Sequence, residues 1–342
     1  MKFSFYKADL QLKHPFTISR NTRRTQEVLF VELEHEGITG IGEASPSERY
    51  GESIQSTTAF FEKVDLEQFD SAFVVEDIQK YLQTIGPGNN AAKAAIDIAL
   101  NDWIGKKLHI PLWKLWGFQK TRTPKTSFTI GASTVDEIVK KVREAHDYPI
   151  LKVKVGVPND EEIISIIRSE TDKPIYADAN EGWAPKERAL EKIIFLQQNG
   201  IELIEQPLPA KDVVGMIWLK SRIRIPIIAD ESCTSIQELP ALKGVFDGIN
   251  VKLMKCGGLK NALQLIYTAK KILGMKVMLG CMIESSVGIS AMAQLAPLAD
   301  YCDLDGNVLI SNDPFLGVTN IEGKLLLSDL PGIGVRPSMN GK

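Results

Sequence analysis

LKVKVG at residues 151–156, IYADAN at 175–180, IELIEQP at 201–207 and IIADES at 227–232 follow one pattern: a short apolar run ends on a charged residue, and a longer amphipathic stretch follows. That order spells βα units and a parallel sheet. Outward from this block the pattern continues upstream in SFTIG (127–131) and downstream in INVK (249–252), VMLGCM (277–282) and YCDLDG (301–306). The strand ends fall near Thr129, Lys154, Asp178, Glu205, Asp230, Lys252, Gly280 and Asp303, in steps of 22 to 28 residues. Eight parallel strands at that period predict an α/β fold of the (β/α)8-type, a modified TIM barrel, in preference to an open sheet.

The flanks differ in texture. Phe3 to Leu12 and Glu27 to Glu34 alternate as strands, Gly37, Gly40 and Gly42 punctuate a hairpin, and NNAAKAAIDIALNDWIGKKL (89–108) is a helix that Asn89 or Asn90 can cap. We read residues 1–118 as an α+β capping domain, 119–308 as the barrel and 309–342 as a tail that returns to the cap.

Composition narrows the function. Of 342 residues, 40 are Lys or Arg and 43 are Asp or Glu, so the net charge of −3 supplies no basic field for nucleic acid or an anionic membrane. The amino end lacks the continuous apolar core of a signal peptide, and no apolar run approaches the roughly 18 to 20 residues of a membrane span. The cysteines (Cys233, Cys256, Cys281, Cys302) are 21 or more residues apart and suggest neither a zinc knuckle nor a disulfide framework, so the expected location is a reducing cytoplasm. Self-association as a homo-oligomer is left open.

Three consecutive strands close on carboxylates, Asp178, Glu205 and Asp230. Such residues also cap helices, but three in succession at a barrel mouth suit a hard divalent cation, Mg²⁺ in the first instance. Asn180 faces the same way as Asp178. Lys152 and Lys154 share a face by the period of two. A K-x-K pair on an edge strand would face solvent, but a barrel has no edge, and outward lysines would be buried against helices without partners. Pointing inward, they lie beside the metal. Lys252 ends a strand four places round from Lys154, so the two amines straddle whatever the metal holds. Asp303 and Asp305 share a face opposite the trio, where they can receive an ammonium group.

A metal and a lysine can grip a substrate carboxylate while a neutral lysine removes the adjacent α-proton and the cation stabilises the enediolate. A second lysine on the other face can return the proton with inversion, which is epimerisation. Lysine ordinarily titrates near 10.4, so a largely neutral base near pH 7 to 8 requires a fall of roughly 2 to 3 pH units, about 3 to 4 kcal/mol.

PFTISR (15–20), ERYGES (48–53), LKVKVG, DAN, EQPLPA (205–210), ADESC (229–233), NVKLMKCGG (250–258), MLGCM and DLDG occur in this order along nearly the whole chain. In this the chain resembles the enolase superfamily, in particular its muconate-lactonizing-enzyme subgroup and the dipeptide epimerases within it. Lysine bases with Mg²⁺ belong to that superfamily. The resemblance implies Lys154 and Lys252 as the acid/base pair, Lys152 at the carboxylate, and Asp178, Glu205 and Asp230 as Mg²⁺ ligands. It further implies substrate contacts at Thr129, Gly280, Cys281, Met282, Asp303 and Asp305, and, from the loop SRNTRR (19–24), Arg23 at the side-chain carboxylate of a glutamyl residue. Asn21 stands where the family has glycine after the first loop arginine. A peptidoglycan-derived L-Ala-D/L-Glu dipeptide is the implied substrate. Glu231, Glu284 and Lys255 are expected to support the site. The alternatives are an o-succinylbenzoate synthase, a muconate cycloisomerase, an N-acylamino acid racemase, or a barrel that binds a small acid without catalysis.

Overall fold

The computed structural model describes residues 1–338. Three antiparallel strands open the chain: β1 (Lys2–Thr17), β2 (Thr22–His35) and β3 (Ile38–Ala44). Their register runs from Lys2 opposite Glu34 to Gln11 opposite Thr25, and it shifts between Gln11 and Phe16. Glu36 at φ +49° and Gly37 at φ +72° make the two-residue turn between β2 and β3. Gly40 and Gly42 do not punctuate the hairpin as the sequence pattern suggests. They lie inside β3, where a Cβ would come within 2.1 Å of the Ala99 carbonyl oxygen and 1.9 Å of that of Ala95. Glycine thus lets the alanine-rich helix Asn90–Lys107 settle onto the strand backbone.

Neither Asn89 nor Asn90 caps that helix with its side chain. Asn89 is left-handed, at φ +50°, and makes no capping hydrogen bond, whereas a capping side chain works from an extended backbone. The orphan amides of Asn90 and Ala91 instead donate to the two carboxylate oxygens of Glu52, at 2.5 and 3.0 Å. A carboxylate at a helix N-terminus is also favoured by the helix dipole.

The barrel strands are β4 (Phe128–Ile130), β5 (Leu151–Lys154), β6 (Ile175–Asp178), β7 (Ile201–Glu205), β8 (Ile227–Ala229), β9 (Gly248–Val251), β10 (Lys276–Gly280) and β11 (Tyr301–Asp303). They form one eight-stranded sheet in sequence order, parallel throughout. A parallel bridge between Thr126 and Cys302 closes it, supported by the Ser127 amide on the Cys302 carbonyl at 3.1 Å. No helix follows β11 among the described residues. The chain instead runs along the cap, where Lys13 N–H donates to Leu309 O at 2.9 Å, Ser311 N–H donates to Gln11 O at 2.8 Å, and Phe30 packs edge-on against Phe315. No helix among the described residues is long and apolar enough to cross a membrane.

The period of two sorts the barrel side chains. Val153, Ala177, Ile204 and Ala229 face outward into the large core shared with the helices. Tyr176, Leu203, Ile228 and Met278 pack together in a separate buried cluster. Two residues further along the same faces come Asp178, Glu205, Asp230 and Gly280. The apolar plug is therefore the floor on which the polar centre rests.

Candidate active site

Asp178 pairs in register with Glu205, and Asp230 follows the last residue of β8. One carboxylate oxygen from each lies within 4.8 Å of the others, and all three residues are buried. Their partners are lysine amines and two amides, one of them the Asn180 backbone N–H, which donates to Asp178 Oδ1 at 3.0 Å. Lys154 Nζ donates to Asp178 Oδ2 at 2.6 Å and Lys252 Nζ to Asp230 Oδ2 at 2.7 Å. Lys152 Nζ lies 2.7 Å from Glu205 Oε2, 3.1 Å from Asp178 Oδ2 and 2.7 Å from Asp303 Oδ2. Asn250 Nδ2 donates to Glu205 Oε1 at 2.8 Å, and Lys255 Nζ holds Asp230 through Oδ1 at 2.5 Å and the carbonyl oxygen at 2.6 Å.

Crowding three carboxylates in a dry place splits their acidities. Burial, compounded by Asp178, pushes Glu205 up to about 8. Burial acts the same way on Asp178 and Asp230, but Lys154 and Lys152 at the first and Lys252 and Lys255 at the second overcome it and hold both below the ordinary aspartate range. Glu205 Oε2, though close to Lys152, makes no hydrogen bond of acceptable geometry. An oxygen-only donor set with one unsatisfied buried oxygen fits a hard divalent cation such as Mg²⁺.

β5 and β9 are four places apart in a ring of eight, so Lys154 and Lys252 approach the trio from opposite walls. Burial disfavours the Lys252 cation, yet Asp230 and Glu205 outweigh it and keep the ammonium above its ordinary value. The expectation of a neutral lysine thus meets an opposing field from the very carboxylates that would hold the metal. Lys152 is also held well above the ordinary value: Asp303, Glu205 and Asp178 overcome its complete burial.

Above this layer is a cavity of about 110 Å³. Lys154, Lys252 and Asp230 line its floor, Thr129, Cys281, Met282, Asp303 and Asp305 its wall, and Phe16, Arg20, Arg23 and Tyr50 of the cap its roof. Gly280 sits behind the wall, where a Cβ would meet Asn250 Oδ1 at 2.5 Å, so its bareness leaves room for the asparagine that holds Glu205. Asp303 is engaged by Lys152 and by Ser127 Oγ at 2.7 Å. Asp305 accepts the Thr129 amide at 2.6 Å, and burial together with Asp303 pushes its carboxyl up to about 7. A ligand ammonium here would restore its charge.

The loop arginines divide. Arg20 donates to the Asn180 carbonyl at 2.8 Å and to Glu231 Oε1 at 3.0 Å, and Arg49 grips Glu181 through two bonds of 2.6 and 2.7 Å, so both tie the cap to the barrel mouth. Among the described residues Arg23 meets only the neutral Gln26, at 2.6 Å, and has no carboxylate partner beside the cavity it lines. Asn180 supports Glu231 at 3.3 Å. Glu284 Oε1 accepts the Met282 amide at 2.7 Å and shapes the wall segment. Sequence reasoning passed over Ser127, Arg49 and Glu181. ERYGES carried the first signal for Arg49, but its partner Glu181 lies 132 residues away.

Comparison with known proteins agrees with this geometry. Residues 4–117 match the mandelate racemase / muconate lactonizing enzyme N-terminal domain, and residues 134–341 match the enolase C-terminal domain-like family. The chain is 48% identical over 336 residues to an L-Ala-D/L-Glu epimerase of Bacteroides thetaiotaomicron, covering 98% of this chain and 88% of that protein. A crystal structure of a dipeptide epimerase from Enterococcus faecalis V583, complexed with Mg and L-Leu-L-Tyr, superposes with a TM-score of 0.89 at 32% identity, covering 97% and 98% of the two chains. A substrate-liganded L-Ala-D/L-Glu epimerase from Bacillus subtilis gives a TM-score of 0.91 at 27% identity, with 98% of each chain covered. Cap and barrel both being matched, the chain belongs to the mandelate racemase/muconate lactonizing enzyme family of the enolase superfamily.

Proposed function

We propose that the protein is an isomerase, a Mg²⁺-dependent dipeptide epimerase that inverts the α-carbon of the C-terminal residue, with L-Ala-D/L-Glu as substrate. The observation that carries this reading is the opposition of Lys154 and Lys252 across the carboxylate trio, each within 2.7 Å of a different aspartate. Asp178, Glu205 and Asp230 would hold the ion. Bound Mg²⁺ would neutralise these carboxylates, withdraw the field that keeps Lys252 charged, and offer positive charge to the substrate carboxylate.

The chain's own groups then divide the work. One lysine, as the free amine, takes the α-proton, while the lysine opposite, as the ammonium, delivers a proton to the other face. In the reverse direction they exchange roles, and solvent resets their protonation. Lys152 adds a fixed cation at the carboxylate end, and Asp303 and Asp305 receive the amino terminus. Thr129, Cys281 and Met282 border the bound backbone, with Gly280 supporting them from behind. Of the loop arginines that line the cavity, Arg20 is paired with Glu231 and Glu181 while Arg23 has no carboxylate partner among the described residues, and we assign Arg23 to the glutamyl side chain. A free amine on the substrate also favours a dipeptide over the acylated or purely acidic substrates of related chemistries, which two carboxylates would repel. Dipeptides of this kind arise from peptidoglycan turnover. Four free cysteines suit the reducing cytoplasm in which we place the enzyme.

Incubation with L-Ala-L-Glu and Mg²⁺ in D₂O tests the proposal. Deuterium should enter the glutamyl α-carbon alone as L-Ala-D-Glu accumulates. Failure to exchange across a panel of dipeptides would remove it.

A further inference from the structure

Behind the active-site wall lies a second, larger pocket of about 430 Å³, between the end of β1 and the barrel helix Val135–Glu144. The two cavities share Phe16, Thr129 and Leu309 as a common partition. Lys141 lines the second pocket and is only 5% exposed. Among the described residues no carboxylate comes within 4.0 Å of its ammonium, and its one polar contact is the Pro15 carbonyl at 3.4 Å. Of the three acids on its own helix, Asp136, Glu137 and Glu144, none forms an ion pair with it among the described residues: Glu137 takes the Ser133 hydroxyl, and Glu144 takes His14 Nε2 at 2.7 Å.

A buried ammonium with two unused donors and no carboxylate in contact is costly to maintain, and burial lowers its affinity for the proton, an effect that the more distant Glu137 and Glu144 oppose without overcoming. An anion beside it would reverse that. Lys13 adds a positive charge at the rim, and Glu144 is the one acidic residue of the lining. Phe128 and Phe16 supply apolar walls. We propose that this pocket is a second binding site, separate from the active site, for a small organic carboxylate with an apolar body, whose charged end pairs with Lys141. The proposal does not depend on the reaction assigned above.

Benzoate is a suitable probe, titrated by ligand-observed NMR against the Mg²⁺-loaded full chain with L-Ala-L-Glu at saturation. Saturable binding should persist under these conditions. Lys141→Met should weaken it about tenfold or more, the loss expected for removing a charge-assisted contact, while kcat/KM stays within about twofold of the parent. Removing an unpaired buried cation should leave the thermal midpoint equal or higher. Should Lys141→Met fail to fold, a Lys13→Gln variant should still weaken benzoate about twofold. The proposal fails if saturating dipeptide displaces benzoate completely, if Lys141→Met binds it like the parent, or if inorganic phosphate binds as tightly and the apolar wall contributes nothing.

Discussion

Lys154 and Lys252 differ in what their removal should leave behind. With Lys252→Ala, Lys154 still reaches the α-carbon from its own wall, so epimerisation should stop while α-deuterium exchange continues for one epimer. NMR of each epimer in D₂O reads this directly, and equal exchange of both would end the two-base assignment. Asp305 sets a pH dependence. Burial and Asp303 raise its carboxyl to about 7, and a substrate ammonium binds the ionised form. KM should therefore fall as pH rises from about 6 to 8, and Asp305→Asn should raise KM and flatten that dependence. Arg23→Ala should raise KM for Glu-containing dipeptides by about tenfold, and for apolar ones little, since one charge-assisted pair is lost only with the former. A uniform change across the panel would take Arg23 out of specificity.

At the scale of elements, the alanine-rich helix of the cap depends on Glu52, which lies outside it. Glu52→Ala strips the acceptors from the Asn90 and Ala91 amides and should cost about 1 to 2 kcal/mol, read as a lower urea midpoint, with Glu52→Gln losing less. This cap was not legible in the sequence, because Asn89 looks like a capping residue and the actual acceptor sits 38 residues upstream. What was legible was local and periodic. The i, i+2 pairs Tyr176/Asp178, Leu203/Glu205 and Ile228/Asp230 place an apolar floor and an acidic layer on one face, and such alternation survives folding because a strand enforces it. Lys152 and Lys154 were legible for the same reason. Close approach was not: Gly40, Gly42 and Gly280 are fixed by the helix or the side chain facing them, which no pattern along the chain records.

For the whole molecule the question is what couples cap to barrel, since the roof of the cavity belongs to one and the floor to the other. Glu43, on β3 of the cap, is fully buried against the barrel helix Ser286–Ala293, where it accepts the amides of Ser285 at 2.8 Å and Gly288 at 2.9 Å and the Ser285 hydroxyl at 2.6 Å. Those three donors favour the carboxylate, but complete burial outweighs them and pushes Glu43 up to about 7. A glutamate free in the unfolded chain titrates near 4.3. Between these values the folded chain binds the additional proton, so stability falls as pH rises. The contribution is fully present below about pH 4 and is lost as pH climbs through about 7, a difference on the order of 3 kcal/mol. Glu43→Gln mimics the protonated form at every pH. Its stability relative to the parent should therefore improve steadily from pH 5 to 7.5, and unfolding midpoints of the two proteins measured in parallel isolate the effect from other titrating groups. A difference independent of pH would mean that Glu43 is ionised throughout, with the helix amides and not burial setting its charge.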